Sequence, residues 1–272
     1  MRNLIHALKT SKRLMINPSI AKAYVESVEE IKITAETNAA DVKEILKMMF
    51  GEQPEMEIVG KTAIIPIKGV IGRGLSDIEK MCNAVDVNDI TQNLHDAVHN
   101  PQVEKIVFDV DSPGGNTDGL EELADKIYNC PKFTESFSEN GVHSAAYYLA
   151  SQAKRFSITK SAEVGSVGVF MAFPDVSEAY AMEGVKMEVI QSGKYKAMGI
   201  EGTSLSDEQR AYLQDDVNEG HAEFKSAVKR RRTFVKDEDM EGQSFGAKKA
   251  AEKGFVTGIV NSIGDVVISD YA

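Results

Sequence analysis

The chain has 272 residues, 42% of them hydrophobic and 27% charged, which is enough for one large folded domain with a small appendage. A formal net charge of −11 excludes general nucleic-acid binding, because a phosphate backbone needs a basic footprint. Two cysteines, Cys82 and Cys130, make no disulfide framework and suit a reducing compartment, with a single bridge between them left open.

Along residues 1–16 the apolar positions are scattered among Arg2, Lys9, Lys12 and Arg13, so the uninterrupted apolar stretch of a secretory signal is missing. Ile20, Tyr24, Val28 and Ile31 recur at helical spacing, as do Val42, Ile45, Leu46 and Met49. Residues 1–55 therefore read as a helical N-terminal arm, joined to the body by a linker around Pro54. The most apolar window, residues 63–71, is broken by Pro66 and Lys68 and is too short to span a bilayer. The expectation is a cytoplasmic protein with no membrane partner. Cysteine and histidine spacing suggests no metal site, and the serine chemistry read below needs no cofactor.

From residue 56 to 272 short apolar strands alternate with amphipathic helices. Strands are expected at 63–67, 106–110, 133–137, 156–159 and 186–190. Helix faces are marked by Ile90, Leu94, Ala97 and Val98, and by Leu120, Leu123, Ala124, Ile127 and Tyr128. This alternation predicts an α/β fold. A long helix starts at Ser206, where Gln209 completes a capping box, and ends near Arg232. The cluster Lys229 to Arg232 suits the negative end of that helix, with Asp237, Glu238 and Asp239 nearby to pair with it.

Four segments carry chemistry. Asp111-Ser112-Pro113-Gly114-Gly115 leaves a strand and enters a helix, and consecutive glycines there let backbone N–H groups approach a developing negative charge. Alone, it is an ordinary turn. Ser144 precedes a run of small helix formers, where the Ala145 N–H adds an oxyanion donor. Alone, Ser144 is an N-cap. His143 is read as a structural or pocket-wall residue, because neighbours leaving a strand point apart. That leaves lysine as the base. A lysine that loses its charge on burial accepts a proton at neutral pH. Lys194 and Lys196 both qualify on spacing, and either alone reads as a solvated surface group. Gly165-Ser166-Val167-Gly168 forms a pocket-wall turn, with Ser166 placed to orient a lysine amine.

These segments resemble the signal peptide peptidase A family of Ser/Lys peptidases, and within it the capsid (prohead, head-maturation) proteases of tailed phages. The resemblance covers about residues 58–267. The run Arg13 to Pro18 is also similar to the leader of the phage branch. It implies a ClpP/crotonase-like fold of stacked strand–helix units. It further implies Ser144 as nucleophile, Lys196 as general base, Gly114, Gly115 and Ala145 around the oxyanion, and Ser166 supporting the lysine. Ala145 and Ala146 stand where cellular members usually carry two glycines, which keeps the N–H groups and tightens the pocket. Membrane-bound cellular members carry an N-terminal anchor that these residues do not show, which turns the expectation toward phage assembly.

The implied activity is endopeptidase cleavage of scaffold and capsid-associated proteins, in a homo-oligomer whose neighbouring subunits build the groove. Three alternatives remain. They are a cytoplasmic bacterial peptidase of the same family that degrades peptide fragments, a catalytically idle capsid component, and a crotonase-like enzyme acting on acyl-thioesters.

Overall fold

The structure, a computed structural model, describes residues 13–16, 22, 24–26 and 54–268. The strands in chain order are β1 (Leu14–Ile16), β2 (Glu57–Val59), β3 (Thr62–Lys68), β4 (Val70–Gly72), β5 (Ala84–Asp86), β6 (Lys105–Asp111), β7 (Gly114–Asn116), β8 (Phe133–Ser138), β9 (Gly141–His143), β10 (Arg155–Ile158), β11 (Glu163–Gly165), β12 (Ser244–Gly246) and β13 (Gly258–Ile259). The helices are α1 (Asp77–Met81), α2 (Val87–His99), α3 (Leu120–Tyr128), α4 (Ala145–Ala150), α5 (Ser177–Met182), α6 (Asp207–Lys229), α7 (Ala247–Glu252) and α8 (Ile263–Ile268).

The main sheet runs β13-β10-β8-β6-β3-β2 and is parallel except for the edge strand β2. Strands β3 and β6 at its centre are rich in apolar residues, as expected when both faces are covered. Pro66 is tolerated in β3 because β2 pairs only with Thr62 to Ile64, so Pro66 lies beyond that ladder.

Four of the six main strands then lead into a short strand of a second layer. β3 passes through Gly69 into β4, β6 through Ser112-Pro113 into β7, β8 into β9, and β10 toward β11. Gly69 holds φ 80°, and a Cβ there would lie 1.9 Å from the Asn83 carbonyl oxygen. The second layer consists of the sheets β1-β7-β4-β5 and β12-β11-β9. Helix α2 buries Val87, Ile90, Leu94 and Ala97, and α3 buries Leu120, Leu123, Ala124 and Ile127. The expected α/β class of stacked strand–helix units is therefore the architecture observed.

Helix α6 begins with the expected capping box of Ser206 and Gln209. The basic cluster at its end is structural. Lys229 pairs with Asp237 and Arg230 with Asp125, both at 2.6 Å. Arg231 donates to the carbonyls of Tyr128 and Gln152, and Arg232 to that of Ala153. No disulfide joins Cys82 and Cys130.

Two expectations meet a different outcome. Residues 186–190 form no strand and are exposed, because no neighbouring strand satisfies their backbone groups. The helices expected over 20–31 and 42–49 lie outside the described residues, apart from Lys22 and residues 24–26, which are helical. Within the same stretch of 55 residues, Leu14–Ile16 forms β1 and pairs antiparallel with β7.

One buried ion pair links three strands and the last helix. Lys105 Nζ lies 2.9 Å from Glu135, and both side chains are almost fully buried. Lys105 also donates to the Val266 carbonyl at 2.6 Å, and Ser157 Oγ to Glu135 at 2.6 Å. Removing one charge strands the other in the core. Glu135→Leu is expected to lower unfolding free energy by about 3–5 kcal/mol, read by denaturant titration. A change below about 1 kcal/mol would mean the pair contributes little.

Candidate active site

Ser144 stands where β9 turns into α4. Its backbone has φ 55° and ψ −119°, a conformation that costs a non-glycine residue about 1–3 kcal/mol. Surrounding bonds hold it there. Ser144 N–H donates to the Gly165 carbonyl at 2.9 Å, and Tyr148 N–H donates to the Ser144 carbonyl at 2.9 Å. His143 N–H donates to Ser112 at 3.0 Å, and His143 pairs in register with Gly165. Helix α4 is buried at every residue, and Tyr147 anchors it by donating its hydroxyl to the Phe255 carbonyl at 2.9 Å. The Ser144 hydroxyl makes no cap to α4, so the plain N-cap reading of this serine does not hold.

The glycine turn arrives from the other side. Gly114 has φ 100°, and a Cβ on it would lie 2.2 Å from Met15 O, 3.0 Å from Ala145 N and 3.0 Å from His143 O. A Cβ on Gly115 would lie 1.8 Å from Ile71 O. Only glycine permits these approaches. Gly114 N–H donates to Ser112 Oγ at 3.2 Å, while Ala145 N–H donates to no backbone carbonyl among the described residues. Gly114, Gly115, Ser144 and Ala145 are thus brought together, as the sequence suggests.

Ser166 is close in chain terms: it follows Gly165, whose carbonyl accepts the Ser144 amide. Its φ is 53°, and its N–H donates to the Gln243 carbonyl at 2.7 Å. Two serines with left-handed backbone therefore flank one peptide linkage at the site.

The two lysines separate clearly. Lys194 is ion-paired with Glu208 and lies over the Tyr195 ring at 4.8 Å. The hydrogen bond to Glu208 raises its pKa, which opposes a role as a neutral base. Lys196 makes no side-chain hydrogen bond or ion pair among the described residues, but it is exposed and no hydrogen bond joins it to Ser144. The burial expected of a lysine base is not present in this single chain.

His143 takes the structural role expected of it. Its Nδ1 lies 3.2 Å from Ser244 Oγ, and burial pushes its imidazole below the ordinary value. The sequence reading missed Met15, whose carbonyl reaches the glycine turn. The continuous apolar triplet Leu14-Met15-Ile16 was the available signal, since such a run is consistent with a buried strand.

Two tests follow from this geometry. Gly115→Ala is expected to cost about 2 kcal/mol or more, because its Cβ meets rigid backbone; unchanged stability in a denaturation curve would contradict the packing. The neutral His143 contributes stability that is full above its unfolded pKa of about 6.5 and is lost as pH falls below it. His143→Gln should therefore show a shallower fall of Tm between about pH 7 and pH 5 than the parent chain. Equal slopes would exclude that contribution.

Comparison with known proteins bears on this arrangement. A family model described as Peptidase family S49 matches residues 136–267, a stretch that holds Ser144, Ser166 and Lys196 but starts after the glycine turn. The capsid assembly protease C of Escherichia phage lambda is 24% identical across 98% of this chain and 66% of its own length. The head-tail preconnector protein GP5 of Enterobacteria phage P21 is 24% identical across 96% of this chain and 56% of its own. Protease 4 of Haemophilus influenzae is 22% identical across 80% of this chain and 36% of its own. The chain thus spans less than two thirds of the length of these relatives. Among solved structures, a mutant ClpP1 from Listeria monocytogenes aligns with TM-score 0.47 and 10% identity over 73% of this chain and 91% of that one. An enoyl-CoA hydratase from Shewanella pealeana aligns with TM-score 0.46 and 12% identity over 84% and 78%. Through the match over residues 136–267, just under half of the chain, this stretch is similar to peptidase family S49.

Proposed function

We propose that the chain is a serine endopeptidase with a Ser144/Lys196 dyad that processes scaffold and capsid-associated proteins during phage head assembly. The observation that carries the reading is the strained turn at Ser144, set beside Gly114 and an Ala145 N–H that donates to no backbone carbonyl among the described residues. Ser144 Oγ attacks the scissile carbonyl carbon while neutral Lys196 takes its proton. Backbone N–H groups of Gly115 and Ala145, with Gly114 allowing the close approach, hold the oxyanion. Lys196 returns the proton to the leaving amine, and water then releases the acyl group from Ser144. The family match and the names of the two phage relatives support the substrate class.

Exposure of Lys196 makes assembly part of this reading. Val185, Met187 and Val189 alternate along an exposed stretch leading to Lys196, in the pattern of a half-buried strand that lacks a neighbour. A homo-oligomer that covers this stretch would desolvate the lysine and lower its pKa.

The direct test is cleavage of a capsid scaffold protein co-expressed with this chain, followed by mass over time. Ser144→Ala and Lys196→Ala are each expected to lower the rate by a factor of about 10³ or more, while Lys194→Ala keeps most of it. Activity surviving in Ser144→Ala would refute the nucleophile. An active Lys196→Ala beside an inactive Lys194→Ala would move the base to Lys194.

A further inference from the structure

Strand β1 lies over the proposed oxyanion segment. Its register sets Met15 opposite Gly115 and Ile16 opposite Gly114. Leu14 uses both backbone groups on Phe170, at 2.9 and 3.0 Å. Such groups alternate between the two edges of a strand, so Met15 turns its own toward Gly115. The position of a Cβ on Gly114 is 2.2 Å from Met15 O and 3.0 Å from Ala145 N, so a main-chain carbonyl of β1 sits among the groups assigned to the oxyanion. Beneath it, Ser144 is only 2% exposed. A peptidase nucleophile must meet an extended polypeptide, and such a chain would add to β7 along the edge that β1 already holds.

A cationic latch fixes the strand. Arg13, directly before β1, donates to Asp216 at 2.7 Å, Glu219 at 3.0 Å and Glu223 at 3.2 Å along one face of α6. Gly220 leaves room for it, since a Cβ there would come within 3.2 Å of Arg13 Cδ.

We propose that Leu14–Ile16 is a built-in substrate mimic, which occupies the β7 edge meant for an extended polypeptide and is held there by Arg13 on α6. Substrate binds only when this strand moves away. The proposal rests on the peptidase reading for the identity of the ligand, but the strand's position on β7 can be tested separately.

The test compares the full chain with Arg13→Ala, and with Asp216→Asn as a second release that leaves β1 and its flank intact. Amide exchange at residues 14–16 and 114–116 should quicken about tenfold in both variants. The KM for a peptide substrate should fall by a similar factor at unchanged kcat, because a competing intramolecular strand is removed. Unchanged exchange would overturn the latch. Quickened exchange with unchanged KM would overturn the mimic, since β1 would then lie off the substrate's path. Should no chain hydrolyse peptide, the peptidase reading fails by itself. The mimic is then decided by adding a synthetic peptide of residues 13–18 to Arg13→Ala. Protection of the Gly114–Asn116 amides supports it, and no protection overturns it.

Discussion

The structure depends on a close meeting of backbones at Gly114 and Gly115. No side chain fits at either position, because Ile71, Met15 and the start of α4 press in from different sides. That crowding joins the second-layer strands β1, β7 and β4 and sets the glycine turn against Ser144. The fold contributes the rest of the constraint. Four strands of the main sheet lead into the second layer, so the ends of β6 and β8 deliver the glycine turn and the serine to one place. The parallel bridge between Ser112 and Val142 fastens those two deliveries together.

Strain at Ser144 follows from the same arrangement. The residue is tied to Gly165 ahead of it and Tyr148 behind it, so its unusual φ persists although it is unfavourable in isolation. Ser166 also has a positive φ. Helix α4, buried and held through Tyr147, fixes the Ser144 turn within the core rather than at the surface.

Much of this was legible in the sequence. Apolar runs such as Ile106 to Val110 and helix faces such as Leu120 to Ile127 announce themselves, because burial on two faces or on one stripe leaves a periodic signature. The capping box at Ser206 was readable for the same local reasons, whereas the placement of Ser144 beside the glycine turn came from the family resemblance. Residues 186–190 misled because alternation signals a strand only when a neighbour exists to pair with it. The choice between Lys194 and Lys196 was closed to spacing, since it turns on Glu208, a partner on another element. Met15 was hidden because its contribution is a main-chain carbonyl, and side-chain patterns say little about where the carbonyls of a three-residue strand will point.

The central claim is that Ser144 becomes acylated. A peptide-derived acylating reagent incubated with the full chain, followed by digestion and mass mapping, tests it directly. The account predicts one adduct, on Ser144, and none on the Ser144→Ala chain. An adduct on Ser166 or another serine, persisting when Ser144 is replaced, would contradict it.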